Sequence, residues 1–376
     1  MRTLIITVTA GHGHNITARA MEESLSSKGA DVVVLDMYKH ISRVLYSVID
    51  KGYLFSVRHL PRHFGRAYSN VERREIPRKV LGILNSNRFL AGRLASFFED
   101  YHPQLIITTH VFGAQVLDVL KQQGHLNVPI LGIVTDFCIH PFWETVPSVE
   151  HIVTAHELFH YAAKRRGIPA ERLLPLGIPC AAKFSRHKDK GEARRELGLA
   201  EDKTTILLMG GSMGYGDMLH NVAQIDALAK DYQLVCITGR NERLRKELCR
   251  LETQSPIHIC GFTDQVDLYM SAADCIVTKP GGLTVSESLA KGLPMILVSP
   301  IPGQEERNTD FLTNSGAAVL VSKYFPITDA VYTVLGQPGR LELMQKAIAL
   351  IARPNAAEEI SQFALRLGTG AELTQS

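Results

Sequence analysis

Apolar strand-type runs alternate with helical periodicities along almost the whole chain. Thr3 to Thr9 leads into a helical pattern over Asn15 to Lys28, and further runs follow at Asp31 to Leu35, Leu105 to Thr109 and Ile130 to Thr135, with a helix over Gly113 to Gln122. Alternation of this kind predicts a parallel sheet covered by helices on both faces. The pattern restarts downstream. Runs at Thr205 to Met209, Leu234 to Thr238, Ile257 to Cys260, Asp274 to Thr278, Pro294 to Val298 and Ala317 to Leu320 are interleaved with helices near Met218 to Ala229, from Glu242, over Val266 to Ala273 and over Ser286 to Lys291. Two similar α/β halves are predicted.

Leu176-Gly177-Ile178-Pro179, the polar stretch Lys183 to Gly191 and a charged helix from Glu192 to Leu197 read as the connection between them. The expected division is 1–179, 180–350, and a C-terminal helix and tail over 351–376 that packs back towards the first domain. Two helical stretches, Asp329 to Leu335 and Arg340 to Ile351, precede Pro354, and the final ten or so residues are expected to fray. A length of 376 residues suits about two domains.

Between the second and third strands lies an insertion, roughly 37–101, too long for a plain βα connection. It carries the chain's charge asymmetry. Residues 51–93 hold ten Lys/Arg against Glu72 and Glu75, a local +8 in a chain whose net charge is +3. Leu45, Ile49, Tyr53, Phe55 and Leu60, with Arg58, Arg62 and Arg66 nearby, would form an amphipathic surface for an anionic membrane, or else pack into a core. The six cysteines contain no C-x-x-C pair, so neither a zinc site nor a disulfide framework is expected, and a reducing compartment is. No run approaches the roughly 18 apolar residues of a spanning helix, and Leu4 to Ala10 runs into Gly11-His12-Gly13-His14 rather than forming a signal-peptide core. The expectation is a cytoplasmic protein that touches the inner face of the cell membrane only peripherally, with no nucleic-acid partner.

Gly11 to His14 follows the first strand and opens a helix, where open α/β sheets present ligands. A neutral His14 there can accept a proton from an attacking hydroxyl. Asp136, at the end of the Ile130 to Thr135 strand, is a rival base, an orienting carboxylate or simply a cap. His110 ends another strand, and His140 and Trp143 stand in the ring-rich segment after Asp136; with Gly13 they line an acceptor entrance or are ordinary packed side chains.

Gly210-Gly211-Ser212-Met213-Gly214 again joins a strand to a helix, offering free backbone N–H groups, a hydroxyl and a positive helix end to a diphosphate. Its spacing is neither the dinucleotide fingerprint nor the Walker pattern. Lys279-Pro280-Gly281-Gly282-Leu283-Thr284-Val285-Ser286-Glu287 and Pro302-Gly303-Gln304-Glu305 with Asn308 are the most specific stretches. A Glu one turn into a helix that starts at a glycine loop can accept two ribose hydroxyls, and Gln304 and Glu305 can bond sugar hydroxyls. Helix capping and surface charge are the plainer roles for Glu287 and Glu305.

These motifs, with Val134-Thr135-Asp136-Phe137, His140 and Trp143, resemble glycosyltransferase family 28, and within it the branch of monogalactosyldiacylglycerol synthases and processive diacylglycerol glucosyltransferases. The resemblance implies an α/β fold of GT-B architecture, two Rossmann-like domains facing across a cleft. It implies inverting transfer of glucose or galactose from a UDP-sugar to diacylglycerol or a glycosyl-diacylglycerol, without a metal or other cofactor. Carried over by position, His14 would be the base; Gly211, Ser212 and Gly214 would meet the diphosphate, Phe262 the uracil, and Glu287 the ribose. Gln304 and Glu305 would hold the hexose, with Gly282, Thr284 and Asn308 completing the donor site. One departure stands out: many relatives carry an Arg two residues after the Gly-Ile-Pro, where this chain has Cys180-Ala181, and Lys183 is not a ready replacement. N-acetylglucosaminyl transfer to a polyprenyl-linked acceptor, UDP-sugar epimerisation and non-catalytic UDP-sugar sensing are the alternatives.

Overall fold

The computed structural model describes residues 1–9, 13–42, 47, 52, 63, 65–66, 82–211 and 217–370. The chain divides into two compact units. The first comprises Met1–Ala182 with Ile301–Gln304 and the chain from Asn355 onward; the second comprises Lys183–Pro300 and Glu305–Pro354. The crossing at residue 182 lies three residues beyond the expected boundary. The charged helix read as a connector spans Lys190–Leu197 and belongs to the second unit. Its Arg194, only 7% exposed, pairs with Asp274 at 2.7 Å and donates to the Ala272 and Glu201 carbonyls.

The first unit holds a six-stranded sheet built from β1 (Arg2–Thr7), β2 (Asp31–Asp36), β3 (Leu105–Thr108), β4 (Ile130–Ile133), β5 (His151–Val153) and β6 (Leu173–Leu174). Its order is β2-β1-β3-β4-β5-β6, with every pairing parallel. Alternate residues of β1 enter separate cores: Leu4 and Ile6 join one with Trp143 and Leu117, while Ile5 joins another with Met21 and Ile360. Burial on both faces is why these strands read as unbroken apolar runs. The second core is closed by the helix Ala356–Thr369, which lies on the helix Gly13–Ser26. Ser361 donates to Ser24 at 2.8 Å, Ser24 donates to the Ala357 carbonyl, and Lys28 pairs with Glu358. The helix continues to Thr369, inside the stretch expected to fray, and residues 371–376 lie outside the described residues.

The second unit repeats the plan with β7 (Thr204–Met209), β8 (Tyr232–Ile237), β9 (Ile257–Cys260), β10 (Cys275–Thr278), β11 (Met295–Leu297) and β12 (Ala318–Leu320). The order is β12-β11-β10-β7-β8-β9, again all parallel. Each unit thus has one place where strand order reverses, between β1 and β3 and between β7 and β10. Connections leave such a switch point toward opposite faces and open a crevice at the carboxyl ends of the strands. Among the described residues no helix is long and apolar enough to cross a membrane. The lipid-facing cluster expected at Leu45, Ile49, Tyr53, Phe55, Leu60, Arg58 and Arg62 lies outside the described residues; Arg66 is exposed.

Candidate functional site

Both glycine loops emerge at the two switch points. In the first unit, Gly13 and His14 open the helix Gly13–Ser26 directly after β1, and a Cβ built on Gly13 meets nothing within 4 Å, so a ligand can approach the backbone closely. Across the switch point, His14 Nδ1 lies 2.8 Å from the Thr109 carbonyl and 3.0 Å from the Thr135 hydroxyl, both just past strand ends. A carbonyl can only accept, so Nδ1 carries the proton and Nε2 presents a lone pair. Burial lowers the His14 pKa, and the charge of Asp136 and the Thr109 bond oppose that shift. At neutral pH the ring is an uncharged base with its basic nitrogen identified. Asp136 is half-buried and acts on His14 through its charge.

A polar chain that the sequence reading did not single out braces this corner. Asn15 accepts from Thr7 at 2.8 Å and donates to Thr9 at 3.1 Å; Thr9 donates to Asp36, and Thr109 donates to Thr7. Asp36 also caps the helix Met37–Ile41 through Lys39 N–H. The signal available was Asn15 immediately after His14, but its partners come from β1 and the ends of β2 and β3, which spacing alone does not join.

His110 stacks edge-on against His14, with ring centroids 4.4 Å apart. Its Nδ1 accepts Phe112 N–H at 3.0 Å and caps the helix Val111–Gln122, which leaves Nε2 as the protonated nitrogen. Burial, then the neighbouring His14 and His140, hold its pKa well below the ordinary value. His140 likewise caps the short helix Pro141–Thr145 by accepting Phe142 N–H. Both histidines thus use Nδ1 as helix caps, a role the sequence reading did not give them. Trp143 is displaced from the expected entrance: only 3% exposed, it lies in the core against β4, where a Cβ on Gly132 would meet its ring at 2.4 Å. An indole wedged beside the sheet is a packing element, not a surface for an acceptor.

In the second unit, Gly211 follows β7 with φ +71°, a left-handed turn that favours glycine, and a Cβ there would meet Lys279 Cε at 3.5 Å. Lys279 follows β10, the other side of the switch point, and with Met209, Gly210, Asn221 and Val298 it lines a shallow pocket. Its Nζ pairs with Glu305 at 2.6 Å. Lys279 is the cation of this loop, and the sequence reading gave it no role. Lys183, by contrast, is engaged by Asp267 and the Asp264 carbonyl. Ser212 and Gly214 lie outside the described residues.

Glu287 sits in the helix Gly282–Ala290, whose first amides have no side-chain cap. It is 8% exposed, and among the described residues its carboxyl has no hydrogen-bond partner. Burial raises its pKa to about 8, the Lys183 charge opposes the rise, and Asp267 adds to it. Thr284, one turn earlier, is half-buried. Phe262 follows β9 with its ring 64% exposed and the Arg240 guanidinium 5.3 Å above it. Gln304 and Glu305 open the helix Gln304–Asn314 after Gly303, which has φ +107°. Gln304 falls in the first unit and Glu305 in the second. Asn308 is fully buried and donates to the Pro280 carbonyl at 2.9 Å. It ties the helix Gln304–Asn314 to the Pro280-Gly281-Gly282 turn. No group of three or more His, Cys, Asp or Glu side chains converges as a metal site among the described residues.

The sequence matches the monogalactosyldiacylglycerol synthase model over residues 14–180 and the glycosyltransferase family 28 C-terminal domain model over 205–360. A processive diacylglycerol beta-glucosyltransferase of Bacillus cereus strain AH187 is 29% identical over 365 residues, covering 96% of this chain and 92% of that protein. Among solved structures, Acinetobacter baumannii MurG superposes with a TM-score of 0.64 at 14% identity, covering 97% of this chain and 99% of that one. A Neisseria meningitidis UDP-GlcNAc 2-epimerase bound to UDP-GlcNAc gives 0.60 at 14%, covering 97% and 100%. At such identities the superpositions speak for the fold, two parallel α/β units of GT-B type, and not for the reaction. The two family models meet the two switch-point sites one in each unit, and the chain belongs to glycosyltransferase family 28, in the branch that carries the monogalactosyldiacylglycerol synthase domain.

Proposed function

We propose that the protein transfers a hexose, glucose or galactose, from a UDP-sugar to the free hydroxyl of diacylglycerol or a glycosyl-diacylglycerol, with inversion, to make membrane glycolipid. The observation that carries the reading is His14: a neutral imidazole at the β1/β3 switch point whose Nδ1 is fixed on a carbonyl, leaving Nε2 as the base. Its setting is the half of the chain that matches the monogalactosyldiacylglycerol synthase model.

In the reaction the acceptor oxygen attacks the anomeric carbon as its proton passes to His14 Nε2, and the bond from that carbon to the UDP oxygen breaks. The charge gathered on the leaving diphosphate is met by the backbone N–H groups at Gly210 and Gly211, the uncapped helix end at Gly282, and Lys279. Lys279 supplies the cation that the Cys180-Ala181 sequence lacks. Glu287 accepts the ribose hydroxyls, the exposed Phe262 ring stacks with the uracil, and Gln304 bonds the hexose. The half that would receive a polyprenyl acceptor or close an epimerase site matches the diacylglycerol branch instead, which leaves those readings without support of their own.

The test is a product assay. Diacylglycerol vesicles are incubated with UDP-glucose, UDP-galactose and UDP-N-acetylglucosamine in turn, and the lipids are read by mass spectrometry. A hexosyl-diacylglycerol from one of the first two is expected. Turnover of UDP-N-acetylglucosamine alone, or no lipid product with any donor, would overturn the proposal.

A further inference from the structure

One segment of the first unit combines exposed apolar side chains with cations that form no ion pair among the described residues. After β5, the short helix Glu157–Phe159 and the helix His160–Arg165 run along the protein surface. Their inner side is anchored: Ala163 is fully buried, and Phe159 packs against the core beside it. Arg166 ties the segment to Glu144 at 2.9 Å. The outer side holds Leu158, 61% exposed, and Tyr161, 73% exposed, three residues apart. Residues at that spacing share a helical face. Lys164 and Arg165 continue the face, both exposed and neither in an ion pair among the described residues, with the Arg165 guanidinium 5.9 Å from the Tyr161 ring centre. The acid in the segment, Glu157, lies 3.5 Å from His156.

Water gains nothing from two large apolar side chains held out by a rigid anchor, whereas a lipid interface accepts them and an anionic headgroup layer neutralises the cations beside them. Tyr in particular favours that boundary, with its ring in the acyl region and its hydroxyl among headgroups. Location adds a second argument. β5 runs parallel to β4, with Ile133 opposite Val153, so the chain leaving β5 emerges on the same edge of the sheet as Thr135, Asp136 and His14. A diacylglycerol hydroxyl sits at headgroup level, and a base that must reach it needs its own edge of the protein against the bilayer.

We propose that Leu158, Tyr161, Lys164 and Arg165 form a docking surface for an anionic lipid bilayer, seating the His14 edge of the first unit at the headgroup layer. This inference rests on the proposed lipid acceptor for its purpose, but its test does not depend on turnover.

The full chain is sedimented with vesicles of phosphatidylcholine alone and of phosphatidylcholine with about one third phosphatidylglycerol, as wild type, L158S/Y161S and K164E/R165E. Removing the two apolar side chains should lower partitioning roughly ten- to hundredfold on the anionic vesicles. Each reversal to Glu changes two charges and should lower it by more than the roughly fivefold of one lost cation at low salt, and little on neutral vesicles. Melting temperatures should match wild type, since all four side chains are exposed. Transfer to long-chain diacylglycerol in vesicles should fall with binding, while transfer to a short-chain diacylglycerol dispersed in water should be retained. Wild type that ignores vesicles, or variants that partition as wild type does, would overturn the docking surface. Vesicle binding that depends on these four residues in a protein that glycosylates no diacylglycerol would leave the docking surface standing and remove the proposed reaction.

Discussion

Glu287 offers the sharpest quantitative test of the donor site. Its carboxyl is buried with no hydrogen-bond partner among the described residues, and burial raises its pKa to about 8. At pH 7 roughly nine molecules in ten therefore carry it protonated. Two ribose hydroxyls donating to the group would stabilise the ionised form and pull the pKa back toward the ordinary carboxylate range. Binding then releases about 0.9 proton at pH 7, and affinity rises close to tenfold per pH unit up to pH 8 and flattens above it. Uridine is the suitable probe, because it lacks phosphates that titrate near neutrality. Calorimetric titrations in buffers of different ionisation enthalpy give the proton count as a slope, and Glu287→Gln should flatten it. A saturable uridine signal in the wild type with the same enthalpy in every buffer would refute the reasoning: the carboxyl would then not be the group that meets ribose.

The same shift has a stability side. A carboxyl whose folded pKa lies above its unfolded value favours the fold when protonated, so its contribution is complete below about pH 4.5 and is lost as pH rises through 8. Relative to wild type, Glu287→Gln should gain about 3 kcal/mol of stability between pH 5 and pH 8, read from denaturant midpoints at each pH. A substitution that weakens ligand binding while strengthening the empty fold is what a buried, unpartnered ligand group should give.

Three further outcomes follow from the geometry. His14→Ala should lower transfer by about 10²- to 10⁴-fold while UDP affinity, measured by calorimetry, stays near wild type; equal losses in both would make His14 structural. Asp136→Asn removes the charge that opposes burial, so the His14 pKa should fall further and the acid limb of the pH-rate profile should move to lower pH; an upward move would contradict the assignment. Lys279→Met should weaken UDP roughly ten- to hundredfold, since the Glu305 charge near the diphosphate is no longer offset by Lys279, and Lys279→Met with Glu305→Gln should recover part of the loss in the same titration.

The sheets were legible where strands are long and buried on both faces, as at Thr3 to Thr9 and Thr205 to Met209, since an unbroken apolar run bounded by glycine has few other uses. β5 and β6 were not legible. They have three residues and two, and exist by pairing with β4 and with each other rather than by any pattern of their own. The glycine loops were found by composition, yet their position at the switch points depends on strand order, a non-local property that no spacing encodes. Lys279 and Asn308 show the same limit. The motif containing Lys279 was conspicuous, but only the fold brings it beside the Gly211 turn, and only the fold joins Asn308 to the Pro280 carbonyl.

The histidines carry this point to the level of single protons. Sequence position puts His14 and His110 in one class, ring nitrogens at strand ends of one sheet edge. The backbone separates them, because Nδ1 of His14 faces the Thr109 carbonyl while Nδ1 of His110 faces the Phe112 amide. The first nitrogen must donate and the second must accept, so two imidazoles whose centroids are 4.4 Å apart hold opposite tautomers. His14 offers a lone pair at Nε2 and His110 offers an N–H, a base beside a neutral donor, and the lowered pKa of each keeps both uncharged at neutral pH. Long-range nitrogen-proton correlation spectra of histidine-labelled protein, assigned with His14→Ala and His110→Gln, should show the Nδ1–H pattern for the first ring and the Nε2–H pattern for the second. An Nε2–H pattern for His14, whatever His110 shows, would leave His14 without a basic Nε2 and would remove the proposed base.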